Sequence, residues 1–265
     1  MPPKSKLGQN FLNDSGAIAR IVAALGHTET RTVVEVGPGA GAITELLATQ
    51  AKKLITVEVD HQLAIRIQVR FEHQPVEVVE QDVLQFDFTA AAAGEKLLVV
   101  GNLPYYITSP ILHRLAEHAA AIEYAVLMVQ REVADRVTAH PGTRDYGLLS
   151  VTTQMYGPAE QLFTLPPEAF DPPPEVHSTV FRWRFAPRFA ELGVTEADFL
   201  RVAQLSFAQK RKTLSNNLRA AGLSSAEAAD VLQKAEIEPQ ARAEALPLEA
   251  FARLTQALPS SLLER

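Results

Sequence analysis

Apolar and polar positions follow two alternating periods over the first two thirds of the chain. Short apolar runs bounded by Gly, Pro, Asn or Asp read as strands at residues 32–36, 54–59, 76–80, 97–100 and 124–129. Before and between them, apolar residues recur three and four positions apart, as in Ile18, Ile21, Val22 and Leu25, in Ile43, Leu46 and Leu47, and in Ile111, Leu112 and Leu115. That spacing lines one face of a helix. Residues 130–139 read as a further helix, Leu148, Val151, Thr152 and Met155 predict another, and residues 161–165 and 178–185 two more strands. Beyond residues 187–193 only helical patterns remain: a start at Thr195, a capping-box sequence Ser224-Ser225-Ala226-Glu227, and an amphipathic stretch over 246–258. Strands alternating with helices predict an α/β, doubly wound sheet over 1–187, and the tail predicts a small all-α domain over 188–265.

In such sheets ligands bind at the carboxyl ends of the strands, so the residues following each strand matter most. The first strand runs into Gly37-Pro38-Gly39-Ala40-Gly41. Glycines at a strand-to-helix turn let the main chain approach a ligand closely, although any tight turn of this kind can use them. The next strand carries Glu58, about twenty residues beyond the first glycine, where an acid conventionally accepts from ribose hydroxyls. Asp82 follows the third strand and reads either as a ligand group or as a helix cap.

The strand Leu97-Leu98-Val99-Val100 is stopped by Gly101, and Asn102-Leu103-Pro104-Tyr105 follows. Pro104 biases Leu103 towards an extended conformation, which can hold a main-chain carbonyl and the Asn102 side-chain oxygen facing one point. Two convergent acceptors suit the hydrogens of an exocyclic amine, and Tyr105 offers a flat ring on which a base can stack. The alternative is an ordinary turn with Tyr105 in the core. Five prolines stiffen the connection over 166–178, which either presents Phe170 as a second ring near the crevice or plugs it into the core.

Composition narrows the classes. The chain has 265 residues, 47% of them hydrophobic, which suffices for one large and one small buried core. No apolar run approaches membrane-spanning length and residues 1–10 are polar, so a soluble, cytoplasmic protein is expected. Cys is absent, which removes disulfides and thiolate chemistry, and the scattered histidines predict no metal site. A net charge of −6 restricts any nucleic-acid contact to a local patch. The segment 206–219 supplies one, with Lys210, Arg211, Lys212 and Arg219 on an expected helix beside Gln209, Asn216 and Asn217. It is either a solvated face or a phosphate-binding surface.

Gln9-Asn10-Phe11-Leu12, Glu35-Val36-Gly37-Pro38-Gly39-Ala40-Gly41, Glu58, Gln81-Asp82, Asn102-Leu103-Pro104-Tyr105, Ala169-Phe170 and Gln209-Lys210-Arg211-Lys212-Thr213-Leu214 stand in one order over nearly the whole chain. Together they resemble the small-subunit ribosomal RNA adenine dimethyltransferases, the family responsible for kasugamycin sensitivity. The resemblance implies a Rossmann-like methyltransferase domain and a helical RNA-binding domain. It implies S-adenosylmethionine as cofactor, held at Asn10, Leu12, Gly37, Gly39, Glu58, Asp82 and Asn102. It further implies dimethylation of N6 on two adjacent adenines near the 3′ end of small-subunit RNA. The catalytic set is then Asn102, Leu103, Pro104 and Tyr105, with Phe170 sandwiching the base, and Lys210, Arg211, Lys212 and Arg219 holding RNA. The partner is expected to be a partly assembled 30S particle, met by a monomer. Glu175 stands where many relatives carry a basic residue. Three alternatives remain: a nicotinamide oxidoreductase using Gly37, Gly39, Ala42 and Glu58, a related methyltransferase of large-subunit RNA, and a non-catalytic ribosome-assembly factor.

Overall fold

The computed structural model describes residues 10–263, so the expected leader with Lys4 and Lys6, and Gln9 of the first motif, lie outside the described residues. In chain order the elements are β1 (Phe11–Leu12), α1 (Ser15–Ala24), β2 (Thr32–Val36), α2 (Ala42–Leu47), β3 (Lys53–Glu58), α3 (His61–Arg70), β4 (Val76–Glu80), α4 (Phe88–Ala92) and β5 (Leu97–Asn102). They continue with α5 (Thr108–Glu117), β6 (Ile122–Gln130), α6 (Arg131–Thr138), α7 (Leu148–Met155), β7 (Ala159–Leu165), β8 (Phe170–Asp171) and β9 (Ser178–Arg184). The chain closes with α8 (Glu196–Phe207), α9 (Leu214–Ala220), α10 (Ser225–Lys234), α11 (Leu248–Ala257) and α12 (Ser260–Leu263). No helix among the described residues is long and apolar enough to cross a membrane.

The chain divides into two compact units. The first holds a seven-stranded sheet in the order β4-β3-β2-β5-β6-β9-β7. From β4 to β6 the strands are parallel, and β9 enters antiparallel between β6 and β7. β2, β3 and β5 are covered on both faces, which is why their sequences are near-continuous apolar runs. β4 is one edge of the sheet, and its Glu77 and Glu80 are exposed, which discourages further pairing. Aspartates start the helices: Asp14 accepts from the Ala17 N–H, Asp60 from Gln62 and Leu63, and Asp87 from Ala90. β3 and β5 flank β2 on opposite sides, so the winding reverses at β2 and opens a crevice there.

The second unit comprises residues 135–158 and everything after 185, rather than a contiguous 188–265. α7 reads from sequence as one more helix of the sheet domain, yet it packs on α8. The main chain fastens it there: the Ala186 N–H donates to the Tyr156 carbonyl at 2.8 Å and Arg188 to Met155 at 3.0 Å, while the Tyr156 hydroxyl donates to Glu196 at 2.6 Å. Edge-on aromatic contacts link Tyr156 to Phe189, Phe189 to Phe199, and Phe199 to Phe251, forming the spine of this helical core. An apolar helix face reports that it is buried and not against what, so sequence spacing assigned α7 to the wrong core.

Candidate active site

The crevice lies in the first unit, at the carboxyl ends of β2, β3, β4 and β5. Its floor is the glycine turn after β2. Gly37 has φ +66° and a Cβ there would meet nothing within 4 Å, so the main chain borders open space. Gly41 has φ +86°, a conformation that L side chains rarely adopt, and a Cβ there would stand 2.8 Å from the tip of the Ile67 side chain in α3. Gly101 serves the neighbouring strand: a Cβ would come within 2.8 Å of the Val36 carbonyl oxygen, where β5 runs beside β2.

Three carboxylates line the crevice: Glu35, Glu58 and Asp82. Glu58 is 4% exposed and accepts from the Asp60 N–H at 3.0 Å and the Gly39 N–H at 3.3 Å, which ties the acid to the glycine turn. Burial raises its pKa above the ordinary 4.5, opposed by those hydrogen bonds. Asp82 accepts from the Leu84 N–H at 2.9 Å, so it caps the turn that follows β4 as well as facing the crevice. Glu35 was quoted above only as part of a motif. It sits inside β2, 2% exposed, accepting from the Thr44 hydroxyl at 2.6 Å, and burial pushes its pKa up to about 7. The signal was a lone acid within Thr32-Val33-Val34-Glu35-Val36, since a charge in a strand covered on both faces is expensive.

At the end of β5 the acceptors sort themselves. The Asn102 side-chain N–H donates to the Asn10 carbonyl at 3.0 Å, which fixes the amide and ties the start of the described chain to the crevice. Among the described residues the Asn102 Oδ1 accepts no hydrogen bond, and neither does the Leu103 carbonyl. The Pro104 carbonyl, by contrast, already accepts from the Ile107 N–H at 3.2 Å and the Thr108 hydroxyl at 3.1 Å. Asn102 and Leu103 therefore form the available acceptor pair, and Pro104 shapes the turn. Tyr105 is half-buried, lines the crevice and meets Ser178 Oγ at 2.7 Å through its hydroxyl.

Among the described residues no Lys, Arg or His lines this crevice. Three acids without a base suit a ligand that carries positive charge and disfavour the diphosphate of a nicotinamide dinucleotide. A family model described as ribosomal RNA adenine dimethylase matches residues 3–259. The chain belongs to that family.

Curated relatives agree with the assignment. The chain is 58% identical over 257 residues to the ribosomal RNA small subunit methyltransferase A of Acidobacterium capsulatum, covering 96% of this chain and 91% of the relative. It is 49% identical to the protein of the same name from Koribacter versatilis, covering 95% and 93%. Among solved structures, a dimethyladenosine transferase from Plasmodium falciparum shares the fold with a TM-score of 0.79 at 24% identity, covering 92% of this chain and 95% of that one. The 23S rRNA methyltransferase ErmE superposes with a TM-score of 0.71 at 28% identity, covering 94% and 99%. Like its relatives, this family member is an S-adenosylmethionine-dependent ribosomal RNA adenine methyltransferase.

Within this dimethylase, Asn10, Leu12, Gly37, Gly39, Glu58, Asp82, Asn102, Leu103, Pro104 and Tyr105 all border one crevice. Phe170 does not. β8 pairs antiparallel with β1, Leu12 opposite Phe170, and the ring is 3% exposed in the core with Ile21, Leu165 and Val180. Drawing it out would expose a large apolar side chain at a cost of roughly 1.5–3 kcal/mol. The second-ring expectation is corrected accordingly; the exposed aromatic at the crevice is Tyr106, 60% exposed. The basic run is corrected too. Lys210, Arg211 and Lys212 are exposed on a turn between α8 and α9, and only Arg219 lies on a helix. Asn217, expected as a phosphate partner, is 2% exposed and clamps that turn, donating to the Ser206 carbonyl at 2.7 Å and accepting from the Gln209 N–H at 3.1 Å.

Proposed function

We propose that this chain dimethylates N6 of two adjacent adenosines near the 3′ end of small-subunit ribosomal RNA, in the cytoplasm, acting as a monomer on a partly assembled 30S particle. The observation that carries the reading is the crevice itself: among the described residues, three acids, no base, and two open acceptors at the end of β5. S-adenosylmethionine supplies an electrophilic methyl on a positively charged sulfur. Glu58 would accept from its ribose hydroxyls, the bare main chain at Gly37 would let it lie close, and Asp82 would favour its positive charge.

An adenine amine is a poor nucleophile because its lone pair is delocalised into the ring. In the first transfer Asn102 Oδ1 and the Leu103 carbonyl would accept its two hydrogens, and in the second one of them would accept the single hydrogen left. Either arrangement favours a pyramidal nitrogen, whose lone pair attacks the methyl carbon while the carbon–sulfur bond breaks with its electron pair going to sulfur. Asn102 is held in the required orientation because its N–H is already given to Asn10. The Tyr105 ring stacks on the extruded base. After transfer the nitrogen bears a surplus, acidic proton that leaves to water, so no side chain need act as base. In the second unit the turn carrying Lys210, Arg211 and Lys212, with Arg219, meets RNA phosphates.

Labelled cofactor is incubated with immature small subunits, mature small subunits and large subunits, and the modified base is mapped. Label at N6 of two neighbouring adenines, in immature small subunits only, is expected; label in large-subunit RNA instead would transfer the chain to the runner-up reading, which the 58% identity to a small-subunit enzyme disfavours. Asn102→Ala should lower turnover at least 100-fold with cofactor affinity nearly unchanged, since the acceptor acts mainly in the transition state. Near-normal turnover in that variant would remove Asn102 from the chemistry, and no turnover in either protein would favour a non-catalytic assembly factor.

A further inference from the structure

We propose that Ser178 is a positioning residue for methyl transfer: from a fixed point in the sheet it holds the Tyr105 hydroxyl and so sets the plane on which the target base stacks. The inference rests on the reading of Tyr105 as the stacking surface. Ser178 begins β9, paired on one side with Gln130 of β6 and on the other with Leu165 of β7, and it is fully buried. The residue before it is fastened as well, since the Arg131 N–H donates to the His177 carbonyl at 3.0 Å. Its hydroxyl is thus carried by main chain that is paired on both sides and buried.

Tyr105 begins the short turn after β5, and β6 separates β5 from β9 in the sheet. The ring therefore leaves the main chain at β5 and ends, 73 residues away in sequence, on Ser178 Oγ at 2.7 Å. A ring anchored at both ends cannot tilt about its side-chain torsions, whereas one anchored only at Cα samples them. Burial holds the phenol above its ordinary pKa of 10, so the hydroxyl stays protonated and able to bond throughout the working range. Tyr105 stands three residues from Asn102, so a change in ring plane displaces the amine from the acceptors that activate it. Small misplacements of that kind act on the chemical step.

The test is a double-mutant cycle in the full chain with immature small subunits as substrate. Tyr105→Phe and Ser178→Ala are each expected to lower single-turnover kcat by about 3- to 10-fold, the size of one lost hydrogen bond. The double variant should fall no further than either single one. Cofactor Kd by calorimetry should stay unchanged, which a general loss of structure would not allow. Wild-type rates in Tyr105→Phe, or effects that multiply in the double variant, overturn the proposal. Should Ser178→Ala not fold, Ser178→Cys takes its place in the cycle. Tyr105→Leu separates the two readings. If it keeps the wild-type rate, the ring is not the stacking surface; if it loses far more than Tyr105→Phe while both hydroxyl variants are normal, the stacking stands and the anchoring fails.

Discussion

Glu35 is the side chain whose position demands most of the fold. Its carboxyl is buried inside β2, served by Thr44, and pushed from 4.5 up to about 7 chiefly by loss of water, with the nearby Glu58 charge adding a little. The native state therefore keeps a proton that the unfolded chain has already released between those two values. Protons bound by the native state in excess make stability fall as pH rises through that window. From pH 5 to pH 8 this group alone removes on the order of 3 kcal/mol. Glu35→Gln keeps an oxygen for the Thr44 hydroxyl and cannot ionise, so urea unfolding at the two pH values should show the variant gaining on the wild type at pH 8. An identical pH slope in both proteins would mean that Glu35 ionises in the fold without penalty. The lone acid was visible in the sequence as an exception to an apolar run; its burial and its partner nine residues on were not.

The turn between α8 and α9 shows how a short segment acquires a surface role. Lys, Arg, Ala and Gln are all good helix formers, so the run from residue 206 to 219 reads as one helix by propensity. The Asn217 side chain prevents this by binding main-chain groups of Ser206 and Gln209, and α9 restarts at Leu214 behind Thr213. Three cations are left side by side on an exposed bend with no carboxylate among them. Replacing Lys210, Arg211 and Lys212 by Ala should weaken RNA binding and lower the slope of log affinity against log salt by up to about three counterions' worth. Binding isotherms at several salt concentrations measure it, with cofactor affinity as the control. A salt slope equal to that of the wild type would leave the bend as a solvated surface.

The charge of the complete chain limits the form its substrate can take. Net charge is −6, the described crevice lining holds three acids and no base, and the grouped basic residues of the described chain sit in the second unit. Since electrostatic attraction supplies nearly all non-specific RNA affinity, a short naked hairpin should bind poorly. Contacts made separately by the two units add only on a substrate large enough to engage both, and such linked contacts gain through effective concentration. Methylation should accordingly be efficient on a partly assembled small subunit and poor on the isolated hairpin, compared as kcat/KM at one salt concentration. Equal values would show that the crevice and its immediate surroundings suffice.

The sequence by itself determined what is local. Periodicity placed the strands and helices, glycines marked the turn after β2, spacing pointed to Glu58, and Ser224 with Glu227 announced the capping box that α10 indeed carries. These follow from neighbours along the chain, where dihedral preference and one buried face are enough. What only the tertiary structure decided is which distant groups meet. Periodicity shows that Phe170 or α7 is covered, not by what; pairing with β1 put the ring in the core, and packing on α8 moved α7 to the second unit. Asn10 meeting Asn102 and Tyr105 reaching Ser178 each join groups far apart in the chain, and the second depends on the order of strands in the sheet. That order is set by the burial of whole faces against one another, a balance no single stretch of residues contains.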